Sequence, residues 1–138
     1  MRRSSRLAWF VGSLAALSFA GILGCASGNN RPPVTLEAMA DSAGVQRVNV
    51  TLHSFYFEPS RIVVRAGHPV ELVLHNNSLL VPHNFTIVDS TLSVARDVGR
   101  KGTEVVKFTP EHPGEYEFFC HVGSHAKKGM KGVLVVNP

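Results

Sequence analysis

The sequence predicts an all-β domain, a β-sandwich of about seven short strands. Three observations lead there. Apolar and polar residues alternate over short stretches, Gly and Pro recur between those stretches, and no long helical period is present downstream of residue 46.

Taken in order, Val48, Val50 and Leu52 alternate with Asn49, Thr51 and His53, which makes a first strand. The apolar phase then shifts to Phe55 and Phe57, predicting a bulge near His53 and Ser54. Glu58-Pro59-Ser60 turns the chain, and "RIVVRAG" offers Ile62 and Val64 before a turn at Gly67. "PVELVLHNN" puts Val70, Leu72 and Leu74 on one face, and "NFTIV" does the same for Phe85 and Ile87. Between Asp89 and Gly102 the pattern fades, which reads as a loop or a short helix. "EVVKF", "EYEFFC" and "GVLVV" supply the last strands, separated by Pro110, Pro113-Gly114 and the Gly129–Gly132 stretch. There is no internal repeat.

Residues 1–24 read as an export signal. Arg2, Arg3 and Arg6 precede an apolar run that ends at Cys25, with small residues before it. The run is short for a span of about 20 residues and carries Gly12, Ser13, Ser18 and Gly21. "ILGC" resembles the lipobox of bacterial lipoproteins, in which cleavage precedes a cysteine that is then lipidated, here Cys25. A signal retained as an anchor is the other reading. Either one puts the domain on the periplasmic or cell-surface side, tied to a membrane, and the lipoprotein reading is preferred. Residues 25–46 are small, polar and Pro-containing, a flexible tether in which "VTLEAMA" forms at most a helical turn. The folded domain is then 47–138, enough for one small core.

The formal charge of +4 includes the three signal arginines; without them eleven Lys/Arg face ten Asp/Glu. The near-neutral balance excludes an electrostatic footprint for nucleic acid. If Cys25 is acylated, Cys120 is a lone thiol in an oxidising compartment, vulnerable unless buried or coordinated. A Cys25–Cys120 disulfide is the alternative, but it leaves the neighbouring His and Met without a role.

"FFCHVGSHAKKGM", residues 118–130, gathers Cys120, His121, His125 and Met130. Thiolate and imidazole together select soft or borderline metals. An iron–sulfur cluster wants several cysteines, and structural zinc prefers more thiolates or paired ligand pairs. One Cys, two His and a weak axial Met is the donor set of a blue-copper centre. Cys120 closes a strand, His125 sits on the following loop, Met130 returns before the last strand, and "VPHNF" supplies a second histidine, His83.

At these residues the chain resembles the cupredoxins, the small blue copper proteins. The family pattern of His-Asn, then Cys, four residues, His, four residues, Met reads here as His83-Asn84, Cys120, His125 and Met130. "FYFEPS", "AGHPVELVLHN" and "PGEYEFFC" extend the likeness over essentially the whole domain. The resemblance implies a Greek-key sandwich holding one type-one copper ion on those four residues. It also implies an Asn84 backbone amide donating towards the cysteine sulfur, and an electron port where the His125 ring edge meets the surface. Ser124 stands where the binuclear copper centre of cytochrome oxidase has a second cysteine. Phe119 stands where multicopper oxidases have a histidine, and the paired His-x-His motifs of those enzymes are missing. One mononuclear site is therefore expected, with His121 outside it. His53, His68, His75 and His112 read as surface residues.

The expected function is a membrane-tethered electron carrier rather than an enzyme, since four protein donors leave no open position for a substrate. Its expected partners are redox proteins such as a cytochrome or a membrane oxidoreductase. Copper storage or delivery in the cell envelope is the alternative, and a metal-free assembly module a third reading. Lys127, Lys128 and Lys131 on the site loop could steer an acidic partner.

Overall fold

In the computed structural model, residues 31–138 are described. The expected export signal of residues 1–24 and the expected lipidation site Cys25 lie outside them. The expected all-β sandwich is what forms, with ten strands in two sheets rather than seven.

The four-stranded sheet contains β2 (Gln46–His53), β3 (Tyr56–Glu58), β5 (Val70–Asn76) and β8 (Thr103–Phe108), in the order β3-β2-β5-β8. The six-stranded sheet contains β1 (Thr35–Glu37), β4 (Arg61–Arg65), β6 (His83–Val88), β7 (Ser93–Val98), β9 (Gly114–Phe119) and β10 (Lys131–Asn137). Its order is β1-β4-β10-β9-β6-β7, with β10 running parallel to β4 and antiparallel to β9.

Period-two alternation builds the core. Val48, Val50 and Leu52 on β2 and Val70, Leu72 and Leu74 on β5 face Ile62, Val64, Leu134 and Val136 of the other sheet, all of them buried. Beside them an aromatic cluster fills the space between the sheets. Phe85 stacks on Phe118 at 4.7 Å, and Phe57 meets the two rings edge-on at 6.0 and 5.1 Å. Gln46 ties the sheets together, since its side chain donates to the Arg65 carbonyl at 3.1 Å and accepts from the Arg65 N–H at 2.7 Å. Gly132 is required by close approach: a Cβ there would collide with the Phe118 ring and the Ser60 carbonyl.

Four sequence expectations change. The bulge near His53 and Ser54 is a two-residue hairpin turn, because His53 pairs with Tyr56 and Leu52 with Phe57. Leu52 and Phe57 thus share a core face, and Phe55 falls in the turn itself. The stretch 89–102, expected as a loop or short helix, contains β7, an edge strand pairing with β6 from His83↔Val98 to Val88↔Ser93. "VTLEAMA" contains β1 instead of a helical turn, in parallel register with β4. Finally, the fold reaches back into the expected 25–46 tether. Beyond β1, Ala40 bridges to Gln46, and Asp41 accepts from the Ala43 and Val45 N–H groups and pairs with Arg47.

Candidate metal centre

His83 opens β6 and Cys120 follows β9, the neighbouring strand of the same sheet. Alternation puts His83 on the side of Phe85, and Cys120 on the side of Phe118, so both donors continue core faces. The loop from Cys120 to Met130 is closed by its own backbone. The Cys120 N–H donates to the Met130 carbonyl at 3.1 Å, and the Met130 N–H donates to the His125 carbonyl at 3.0 Å. A 3-10 turn over Ala126–Lys128 follows His125 and ends at Gly129, whose φ of +98° swings the chain back to Met130. One short loop thereby brings Cys120, His125 and Met130 together.

The three nitrogen and sulfur donors form a compact triangle. His83 Nδ1 and His125 Nδ1 are 3.2 Å apart, and Cys120 Sγ is 3.9 Å from the first and 3.5 Å from the second. A first-row metal sits about 2.0 Å from an imidazole nitrogen and about 2.3 Å from a thiolate, so a trigonal centre spaces its donors roughly 3.5 to 3.7 Å apart. The sides of the triangle bracket that spacing. All three residues are buried, and Met130 is wholly buried beside them in the chain. The arrangement of His83, Cys120, His125 and Met130 fits one type-one copper ion, which the two imidazoles and the thiolate would hold, with the Met thioether as the weaker donor.

Burial makes the three titratable groups neutral. His83 is pushed down to about 4, chiefly by desolvation and then by the nearby rings of His125 and His53. His125 is lowered by desolvation and by Lys128. Desolvation raises the Cys120 thiol, against the opposing pull of the Asn84 and Val122 N–H groups. Both rings are thus already in the form that binds metal at neutral pH, whereas Cys120 must surrender a proton to do so. A purely structural hydrogen-bonded His–His–Cys cluster is the competing reading. It gives no reason for two imidazole nitrogens and a thiol to converge at the spacing of metal donors with Met130 closing the same loop.

The surroundings hold the thiol in place. The Asn84 N–H donates to Cys120 Sγ at 3.4 Å, the contact that the family resemblance implied. The Asn84 side chain accepts from the His121 N–H at 2.9 Å and donates to Asp97 at 3.3 Å. His121 lies outside the triangle, as expected, with its ring on Thr86 at 3.1 Å. Ser124 is exposed on the loop. His68, His75 and His112 are exposed, but His53 is half-buried and stacks on Tyr56 at 4.3 Å.

Two contacts were not foreseen. Asp97, on the strand missed in the sequence, anchors Asn84. Phe55 covers His125 edge-to-face, with ring centroids 5.1 Å apart, so only 8% of His125 is exposed. The cluster of aromatics in "FYFEPS" was visible, but nothing in it says which ring reaches the loop.

The sequence model of the cupredoxin-like domain matches residues 16–136. No curated protein sequence matches the chain significantly. Among solved structures, dithionite-reduced auracyanin of Roseiflexus castenholzii is similar, with 24% identity and a TM-score of 0.62, covering 67% of this chain and 97% of that one. Auracyanin A of Chloroflexus aurantiacus, a "blue" copper protein, gives 22% and 0.60, covering 68% and 100%. The metal-binding domain of the Cu(I)-exporting P-type ATPase CopA of Streptococcus pneumoniae gives 20% and 0.63, covering 78% and 100%. At these identities the likeness establishes the fold, and the match over residues 16–136 establishes the kinship: the chain belongs to the cupredoxin-like domain family.

Proposed function

We propose that this protein is an extracytoplasmic electron carrier, tethered to a membrane through lipidated Cys25, rather than an enzyme. The observation that carries the reading is the buried donor triangle of His83, Cys120 and His125, with Met130 closing the same loop. Copper, when bound there, supplies a single electron by cycling between Cu(I) and Cu(II). The residues supply rigidity. Strand ends fix His83 and Cys120, loop hydrogen bonds fix His125 and Met130, and the Asn84 amide orients the sulfur. A donor set suited to both oxidation states and held by a sheet keeps rearrangement small on electron transfer. The electron reaches a partner, such as a cytochrome or a membrane oxidoreductase, on the periplasmic or cell-surface side.

Copper delivery is the alternative, and two of the similar folds come from copper-handling proteins, the CopA domain and a copper-binding protein studied in its apo form. Burial favours the carrier, because a delivered ion needs donors that an acceptor can reach, and three of the four residues here are at most 2% exposed.

Addition of Cu(II) to the purified protein, followed by visible spectroscopy and voltammetry, tests the reading. Intense thiolate-to-copper absorption with reversible one-electron cycling is expected, and Cys120→Ser should abolish the colour. Colourless or readily transferred copper favours delivery. A Cys120→Ser protein that stays equally blue sinks the assignment.

A further inference from the structure

All four residues of the centre lie on the six-stranded sheet or on the loop between its β9 and β10. The opposite sheet reaches the centre through the β2–β3 turn, whose Phe55 meets His125. Ser54 and Phe55 make that turn, and Phe55 occupies its second position with φ +69°. A turn of this kind calls for glycine there, because L side chains crowd the backbone at positive φ. A bulky residue in that region is a conformational outlier.

The outlier coincides with the site. From this backbone the Phe55 ring meets the His125 ring at 84° with centroids 5.1 Å apart. The ammonium of Lys128, one turn of chain beyond His125, lies 4.5 Å from the centroid of the same Phe55 ring. Phe55 is thus held between a donor residue and the cation that follows it, and it bridges the hairpin of one sheet to the loop of the other. Glycine would serve the turn alone better. A phenylalanine kept at such cost to the backbone points to a role for the ring.

We propose that Phe55 is a positioning residue for the metal centre: it fixes the plane of the His125 imidazole and keeps water from its exposed edge, and so raises the redox potential of the site. The first half concerns the chain alone. The second rests on the copper reading given above. Oxidation adds a positive charge to the centre, and an apolar ring in place of water disfavours the more charged state, so the potential rises.

The test uses Phe55→Gly, which relieves the positive φ while removing the ring, and Phe55→Leu, which keeps apolar volume without an aromatic face. Phe55→Trp is the conservative rescue. In the apo protein, NMR reads the imidazole protons of His125 and, as an internal control, those of exposed His112. The wild type should show one sharp set for His125, with cross-peaks to Phe55. Both ring-less variants should broaden or split the His125 set and leave His112 unchanged. In the copper-loaded protein, voltammetry should give a lower midpoint potential for Phe55→Gly than for wild type, restored by Phe55→Trp. Sharp, unshifted His125 resonances in both variants overturn the proposal, and so does a disordered His125 ring with no fall in potential. If the wild type takes up no copper, the copper reading fails, and the apo resonances alone decide whether Phe55 orders the ring.

Discussion

Acidification of the apo protein should cost stability through His83, by an amount that follows from its burial. The ring is 2% exposed, and its folded-state pKa is depressed from 6.5 to about 4. Above pH 6.5 the ring is neutral whether the chain is folded or not, and it contributes no pH dependence. Between 6.5 and 4 the unfolded chain binds a proton that the native site refuses, so stability falls as the pH falls through that window. Each tenfold loss of proton affinity on folding is worth about 1.4 kcal/mol, so the loss of stability should reach about 1 kcal/mol near pH 5.5 and about 2 to 3 kcal/mol near pH 4.5. His125 is lowered in the same direction and steepens the slope. Carboxylates such as exposed Asp41 and Asp89 and half-buried Glu71 are lowered as well, and their stabilisation is lost at the acid end of the range. Urea unfolding of metal-free wild type and His83→Phe at pH 7.5, 6.5, 5.5 and 4.5 isolates the histidine, because those carboxylates are common to both proteins. Equal slopes in the two proteins would refute the idea that burial holds His83 neutral.

Three further outcomes follow from the packing. Gly132→Ala should destabilise by about 1 to 3 kcal/mol or more, read as a lowered Tm, because the new methyl meets a backbone carbonyl as well as the Phe118 ring. Asn84→Ala leaves the His121 N–H without its acceptor and should cost about 1 to 3 kcal/mol in urea unfolding, with faster amide exchange across the Cys120 loop. Met130→Leu should leave copper bound while shifting the midpoint potential in voltammetry, because a weak thioether donor would tune the potential more than hold the ion.

The core strands were legible because their inward residues alternate without interruption. Val48, Val50 and Leu52, or Val70, Leu72 and Leu74, carry a strand's period in any context. The site was legible for a related reason, since its donors sit at strand ends or in one short loop, where spacing along the chain becomes spacing in space. β7 was not, because Val94 and Val98 are separated on their own face by exposed Arg96, so the alternation fails. As an edge strand it needs only one buried face, and it draws its pairing from β6. β1 is exposed along its whole length and is held by backbone hydrogen bonds to β4, for which side-chain pattern gives no signal. Phe55 was hidden for a third reason. A turn residue at positive φ breaks the alternation that would assign its face, and its partner lies on the far side of the sequence.

The position of β10 sets the order in which the centre can come into being. That strand lies between β4 and β9 in the six-stranded sheet, and its first residue follows Met130 directly. A chain emerging N-terminus first can pair β2 with β5 and β6 with β7 early. The loop that carries Cys120, His125 and Met130 is fastened at both ends only once β10 lies between β4 and β9, so its donors gain fixed places only after those first pairings have formed.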